Sequence, residues 1–174
     1  MTHGRPAPEA LQPDHFAFTD DNLDRARRII AKYPPGKQQS AMLPLLDLAQ
    51  RQHDNWLPRA AMDYVADFLE VPRIRAYEVA SFYSMFETEK VGRNNVAICT
   101  NISCWLNGAE DIVRHCEKKL GIKHGESTPD GRVYLKREEE CLAGCGGAPM
   151  MVINGHYHER LTLEKVDELL DGLE

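Results

Sequence analysis

The chain has 174 residues, of which 43% are hydrophobic, a composition typical of a soluble globular protein. Its net charge of −6 argues against a nucleic-acid-binding role, because phosphate would be repelled rather than neutralised. The longest stretch without a charged side chain, residues 94–109, is too short and too polar to span a bilayer, and no apolar leader opens the chain. We therefore expect a cytoplasmic protein without a membrane span.

The N-terminal part of the chain divides into a proline-rich tail and a helical segment. Residues 1–18 predict a flexible tail, whereas residues 19–90 carry apolar stripes at helical spacing and predict a helical domain. Thr19 is a candidate N-cap, because its hydroxyl can accept a hydrogen bond from the first turn of a helix. The stripe that follows extends to Tyr33, where a Pro-Pro-Gly sequence ends the helix.

Prolines locate the next three helices. Pro44 lies within the second apolar stripe, so this helix either begins near Ser40 or is kinked at Pro44. Pro58 and Pro72 suit the starts of a third and a fourth helix, because the first helical turn does not need the N–H that proline lacks. Such short helices cannot bury every apolar group among themselves, so we expect part of their surface to contact a partner protein.

From residue 91 onward, short strands alternate with helices and predict a separate domain over residues 91–174. The predicted elements are a strand at 96–98, a helix at 106–120, a strand at 133–135, a strand at 150–153 that turns at Asn154-Gly155 into residues 157–158, and a final helix capped by Thr162. The order is β-α-β followed by β-β-α, which predicts a compact domain of mixed helices and strands.

Four of the five cysteines form two closely spaced pairs. Cys99 and Cys104 are separated by four residues, and Cys141 and Cys145 by three. Each pair follows a predicted strand, so parallel neighbouring strands would bring both loops to one edge of a sheet. Four thiolates meeting there suit either zinc or an iron–sulfur cluster.

The spacing of the pairs favours a 2Fe–2S cluster without excluding other sites. Structural zinc sites commonly place two residues between paired cysteines, although up to about four occur. A 2Fe–2S cluster places its ligand pairs on separate irons and tolerates wider pairs. Zinc, a disulfide and a redox dithiol remain alternatives at this stage.

Glycines and acidic residues flank the second cysteine pair. Gly144, Gly146 and Gly147 lack a Cβ atom, which would let backbone N–H groups approach the sulfur atoms, although a tight turn alone would also account for them. The acidic run 138–140 is most simply a solvated loop, and its functional interpretation is a negative charge that lowers a cluster's reduction potential.

Several other residues receive a structural interpretation. Cys116 lies on the apolar stripe between Ile112 and Leu120, which predicts a buried structural thiol. The seven histidines are scattered, and we assign none as a ligand. Trp105 follows Cys104 and would either shield a cluster from water or pack in the core.

The cysteine loops and the helical half together resemble one protein family. The loops CTNISC (99–104) and ECLAGCGGAPM (140–150) are similar to those of the thioredoxin-like 2Fe–2S ferredoxins. Six further segments are similar as well: YPPGK, LPLLDLAQRQ, VADFLEVP, YEVASFYSMF, LGIKHGESTPD and APMMVIN. The resemblance covers residues 15–174 and leaves the first tail residues unmatched.

This resemblance implies an α+β protein, with an N-terminal helical bundle followed by a thioredoxin-like α/β ferredoxin domain. It implies one 2Fe–2S cluster bound by Cys99, Cys104, Cys141 and Cys145, with no catalytic residues and no substrate site on this chain alone. The implied function is that of an electron-carrier subunit of an NADH:quinone oxidoreductase, the respiratory complex I.

The implied partners are a subunit that binds FMN and NAD and the other iron–sulfur subunits of the same peripheral arm. The expected location is cytoplasmic, at the inner face of a bacterial plasma membrane. Two alternatives remain. One is the homologous subunit of an NAD-dependent formate dehydrogenase or NAD-linked hydrogenase. The other is an interaction module that is stabilised by a structural zinc ion and has no redox role.

Pro149 precedes the strand predicted at 150–153. Thioredoxin-like folds place a cis proline at the start of this strand, which makes the Ala148–Pro149 bond a candidate cis peptide. The alternative is a trans proline that ends the strand at the sheet edge.

Overall fold

The computed structural model describes residues 7–136 and 141–174. The chain divides into two compact units, Met1–Lys90 and Val91–Glu174. Over the described residues it forms seven α-helices and a mixed five-stranded sheet, which confirms the predicted α+β class.

Four helices make up the first unit. They are α1 (Asp20–Ile30), α2 (Met42–Gln52), α3 (Arg59–Phe68) and α4 (Ile74–Phe82). Their apolar stripes pack into one core, whose fully buried large side chains are Leu45, Leu46, Leu57, Val65 and Leu69. This core is the main source of stability for helices that would be marginal in isolation.

The predicted helix starts in this unit agree closely with the structure. The Thr19 side chain caps α1 by accepting a hydrogen bond from the Asn22 N–H, at 3.4 Å. A 3-10 turn over Gln38–Ala41 leads into α2, so Pro44 lies in the first turn of that helix. The first four N–H groups of a helix have no partner within it, so a proline at this position removes no hydrogen bond. Of the two alternatives for Pro44, the early start is therefore correct.

Residues 7–18 differ from the predicted flexible tail. Phe16 and Phe18 are buried, and both rings pack edge-on against Tyr64, with centroid separations of 5.6 and 5.3 Å. Apart from a short 3-10 helix over Glu9–Leu11, this proline-containing segment is irregular, but its aromatic side chains still bury apolar area against a helix. Residues 1–6 of the predicted tail lie outside the described part of the chain.

One buried amide joins α2 to the segment after α4. Gln50 donates from Nε2 to the Met85 carbonyl at 3.0 Å and accepts at Oε1 from the Glu87 N–H at 2.8 Å. A buried backbone group that loses a hydrogen-bond partner is costly, so Gln50 fixes the path of the chain as it leaves the helical unit.

The second unit is built around five strands. They are β1 (Asn94–Ile98), β2 (Glu126–Ser127), β3 (Val133–Leu135), β4 (Met151–Ile153) and β5 (His156–His158), in the spatial order β2-β3-β1-β4-β5. The central strand β1 pairs parallel with β3 and antiparallel with β4. The sequence analysis missed β2, because two residues are too few to show an alternating pattern.

Three helices complete this unit. They are α5 (Ile102–Leu106), α6 (Ala109–Leu120) and α7 (Leu163–Asp171). The single helix predicted at 106–120 is wrong at its start: the chain breaks at Gly108, whose φ of 86° is left-handed, and α5 is a separate short helix. Thr162 caps α7 as predicted, accepting from the Lys165 N–H at 3.3 Å.

The Ala148–Pro149 peptide bond is cis, as the thioredoxin-like analogy indicated. Among the helices that the structure describes, none is long and apolar enough to cross a membrane.

The Gln50 amide provides a test of the first unit's packing. Gln50→Leu should lower the free energy of unfolding by about 2 kcal/mol, because the Met85 carbonyl and the Glu87 N–H lose their side-chain partner. The free energy of unfolding is measured by urea titration, with Trp56 fluorescence as the signal, in a Trp105→Phe background. Trp56 is the buried tryptophan of this unit. Gln39→Leu, at an exposed position, is the control and should leave the unfolding midpoint unchanged.

Candidate iron–sulfur site

The structure brings together the four cysteines singled out from the sequence. Cys99, Cys104, Cys141 and Cys145 line one cavity of about 160 Å³, together with Met150 and loop residues of both pairs. The parallel pairing of β1 with β3 explains this placement, because the chain leaves both strands at the same edge of the sheet.

The first pair lies inside the protein. Cys99 directly follows β1 and donates its backbone N–H to the Met150 carbonyl at 3.1 Å, while Cys104 lies in α5. Both are almost completely buried and pack with Ala109 and Met150 in a small apolar cluster. This cluster forms a water-excluding wall on the inner side of the cavity.

The environment of Cys104 disfavours an isolated thiolate. Burial is the largest cause and hydrogen bonding with Cys99 the next, and together they raise the pKa of Cys104 to about 11, although the Met150 backbone opposes this. Metal ligation requires a thiolate, so the positive charge of a metal must offset this cost.

The second pair is exposed at the outer side of the cavity. The Ala143 backbone N–H donates to the Cys141 sulfur at 3.4 Å. Ala143 has a φ of 56°, a left-handed conformation that is uncommon for a residue with a Cβ atom. The sequence analysis missed this residue, because no local signal distinguishes an alanine that adopts this conformation.

The three glycines of the second loop have different roles. A Cβ atom on Gly144 would lie 2.4 Å from the Met150 sulfur, and one on Gly147 would lie 2.4 to 2.6 Å from three carbons of Glu159, whereas Gly146 has open space. The Gly147 N–H donates to the Gly144 carbonyl at 2.8 Å. The predicted approach of this N–H to sulfur is therefore wrong for Gly147, where close packing excludes a side chain.

The donor set is suited to a two-iron cluster. All five cysteines lie in the described residues, and none forms a disulfide. Within the ranges 7–136 and 141–174, no three His, Cys, Asp or Glu side chains are arranged to hold a metal ion. A zinc site needs four ligands close to one point, whereas a 2Fe–2S cluster distributes its four cysteines over two irons. The two cysteine pairs that line one cavity therefore suit a cluster of two irons.

The remaining sequence candidates lie away from the cavity or outside the described residues. Cys116 is fully buried, and burial raises its pKa to about 12, consistent with a structural thiol. Trp105 is 53% exposed and does not line the cavity, so neither of its two predicted roles matches the structure. The acidic run 138–140 lies outside the described residues.

Comparison with known proteins identifies relatives along most of the chain. The family model for thioredoxin-like 2Fe–2S ferredoxins matches residues 26–174. A Rickettsia felis protein named as a subunit of NADH-quinone oxidoreductase is 53% identical over 157 residues, which are 90% of this chain and 93% of the relative. A Dictyostelium discoideum protein named NADH dehydrogenase (ubiquinone) flavoprotein 2, mitochondrial, is 48% identical over 91% of this chain and 64% of its own length.

A solved structure shares the fold. A chain of an NAD⁺-reducing NiFe hydrogenase in the air-oxidised state superposes with a TM-score of 0.62 and 24% identity, over 73% of this chain and 22% of the hydrogenase chain. At this identity the likeness concerns architecture alone, and it supports the thioredoxin-like fold expected from the sequence. The family model matches residues 26–174, and relatives share about half of their residues with this chain. This protein therefore belongs to the thioredoxin-like 2Fe–2S ferredoxin family.

Proposed function

We propose that this chain is the electron-carrier subunit of an NADH:quinone oxidoreductase, and that it takes single electrons from the flavin of a partner subunit. The observation that carries the proposal is the convergence of four cysteines from two loops on one cavity, in a member of a 2Fe–2S family. Relatives that share about half of its residues are named as the same subunit of NADH-quinone oxidoreductase, which supports the choice of complex.

In this proposal Cys99, Cys104, Cys141 and Cys145 hold the cluster. Bound there, a 2Fe–2S cluster accepts and releases one electron at a time. The inner wall around Met150 excludes water, and the Ala143 N–H donates to the Cys141 sulfur, which stabilises negative charge on that atom. The exposed Cys141 and Cys145 leave the outer side of the cavity open to an electron donor.

FMN and NAD are assigned to the partner subunit, which would carry out the hydride chemistry. Exposed apolar side chains on both units support contact with other proteins. In the first unit they are Leu11, Ile74, Phe82, Tyr83 and Met85, and on α5 of the second they are Ile102, Trp105 and Leu106. Such side chains are more favourable buried at an interface than in water. We propose that they contact the flavin-binding subunit and the other iron–sulfur subunits of the peripheral arm, on the cytoplasmic side of the membrane.

The ligand assignment predicts distinct effects of cysteine substitutions. Cys99→Ala, Cys104→Ala, Cys141→Ala and Cys145→Ala should each abolish or destabilise the cluster, because each removes one thiolate. Cys116→Ala is the matched control and should retain about two irons per chain. Iron analysis and visible spectra of the oxidised and dithionite-reduced chain measure both effects.

Two results would contradict this assignment. One is loss of iron in Cys116→Ala while any of the four proposed ligand variants keeps it. The other is a colourless wild-type protein that contains zinc, since a 2Fe–2S protein is red-brown.

Close packing at Gly147 predicts a second effect on the cluster. Gly147→Ala should displace Glu159 or the loop, because the new Cβ would lie 2.6 Å from the Glu159 Cβ, which cannot rotate away. We expect this variant to lose roughly half or more of its bound iron, since ligand position depends on the packing that holds the loop. Gly146→Ala has open space at its Cβ and should keep the wild-type iron content, and equal iron loss in both variants would refute the packing argument.

The helical unit is proposed to form much of the contact with the flavin-binding subunit. Phe82→Gln combined with Met85→Gln should reduce co-purification of that subunit, because 80% and 42% of these two residues are exposed and available for contact. Pull-down from cells that express the complex, followed by quantification of FMN, measures the effect.

Tyr157→Gln is the control for this test, as Tyr157 is an exposed aromatic residue of the second unit. We expect it to co-purify FMN at the wild-type level. If the Phe82 and Met85 double variant did so as well, the helical unit would not provide the contact.

A further inference from the structure

Glu159 packs against the loop that carries Cys145. Its Cβ, Cγ and Cδ atoms lie 2.4 to 2.6 Å from the position that a Gly147 Cβ would occupy. The next residue reinforces this contact, since the Arg160 N–H donates to the Gly147 carbonyl at 2.7 Å. The Lys165 Nζ donates to the Glu159 backbone carbonyl at 2.6 Å and fixes the same segment.

The Glu159 carboxylate faces the loop on the side of Gly144. Its Oε1 atom lies 3.8 Å from the position of a Gly144 Cβ. Since Gly144 immediately precedes Cys145, this oxygen lies within about 9 Å of the Cys145 Cα. Among the residues that the structure describes, Glu159 takes part in no ion pair, and the Lys165 Nζ bonds its backbone carbonyl rather than its carboxylate.

We propose that the Glu159 carboxylate lowers the reduction potential of the cluster held by Cys145. The inference rests on the proposed function, and it assigns Glu159 a tuning role for the same site. Reduction adds one electron to a centre that four thiolates already make negative, and a fixed negative charge at this distance disfavours the added electron. The carboxylate would act as a nearby negative charge and not as a ligand of the cluster.

A purely structural role for Glu159 is the competing explanation. Contact of its Cβ, Cγ and Cδ atoms with Gly147 would then position the loop, and the charge would have no effect of its own. The two explanations differ in their response to substitution, because Glu159→Gln keeps the side-chain shape and removes the charge. Glu159→Asp keeps the charge and shortens the side chain that contacts Gly147.

The test is an EPR-monitored redox titration of the full chain with its cluster. Glu159→Gln should increase the equilibrium constant for one-electron reduction by about three- to tenfold, where tenfold equals 59 mV for one electron. Glu159→Lys should increase it further, while Glu159→Asp should remain closer to wild type than Glu159→Gln. Glu168→Gln, which neutralises an exposed glutamate of α7, is the matched control and should change the constant less than about twofold.

The salt dependence of the reduction potential distinguishes an electrostatic role of Glu159 from a structural one. Because Glu159 is exposed, the difference between wild type and Glu159→Gln should shrink when the salt concentration is raised from about 0.01 M to about 1 M. Three results would each overturn the proposal. The first is an equal reduction potential for wild type and Glu159→Gln. The others are a Glu159→Asp potential shifted as far as that of Glu159→Gln, and a potential difference that salt leaves unchanged. A wild-type chain without a 2Fe–2S spectrum would instead refute the proposed function, so the two failures are distinguishable.

Discussion

The pairing of the central strand β1 with two neighbours of opposite direction determines where the cysteines meet. Because β3 is parallel to β1, the chain leaves both strands at one edge of the sheet, which places the segments containing Cys99 and Cys141 there. Because β4 is antiparallel to β1, with Met151 opposite Ile98, it begins at that same edge. The loop with Cys145 therefore arrives where the other segments depart. The convergence of the two cysteine loops on one cavity follows from this three-strand arrangement.

The site must stabilise negative charge in a place that is partly closed to water. Cys99 and Cys104 are buried, and the raised pKa of Cys104 reflects the cost of a thiolate there. On the outer side, the Ala143 N–H donates to the Cys141 sulfur, while Glu159 adds an opposing charge at the base of the Cys145 loop. A metal bound there would supply the positive charge that the buried thiolates need, and the outer surroundings would, in our proposal, adjust how readily an added electron is accepted.

The sequence predicted the features that depend on local chemistry and missed those that depend on tertiary contact. The two cysteine pairs, the capping residues Thr19 and Thr162, and the strands at the site follow from spacing and periodicity, and the structure contains them. Phe16 and Phe18 follow three prolines that indicate a tail, but they are buried against Tyr64 of α3. Glu159 gave no signal, because its proximity to Gly147 exists only after the loop and the hairpin are folded.

Exposure of one cysteine pair and burial of the other suit the two demands on an electron carrier. A fully buried cluster would be remote from any electron donor. A fully exposed cluster would leave its cysteine ligands and its bridging sulfides open to water. Cys99 and Cys104 anchor the site in an apolar cluster, whereas Cys141 and Cys145 face outward. The exposed apolar residues of α5 directly adjoin Cys104, so a partner that covers them would lie close to the cavity. Binding of the electron donor and exclusion of water from the cluster would then be achieved by the same surface.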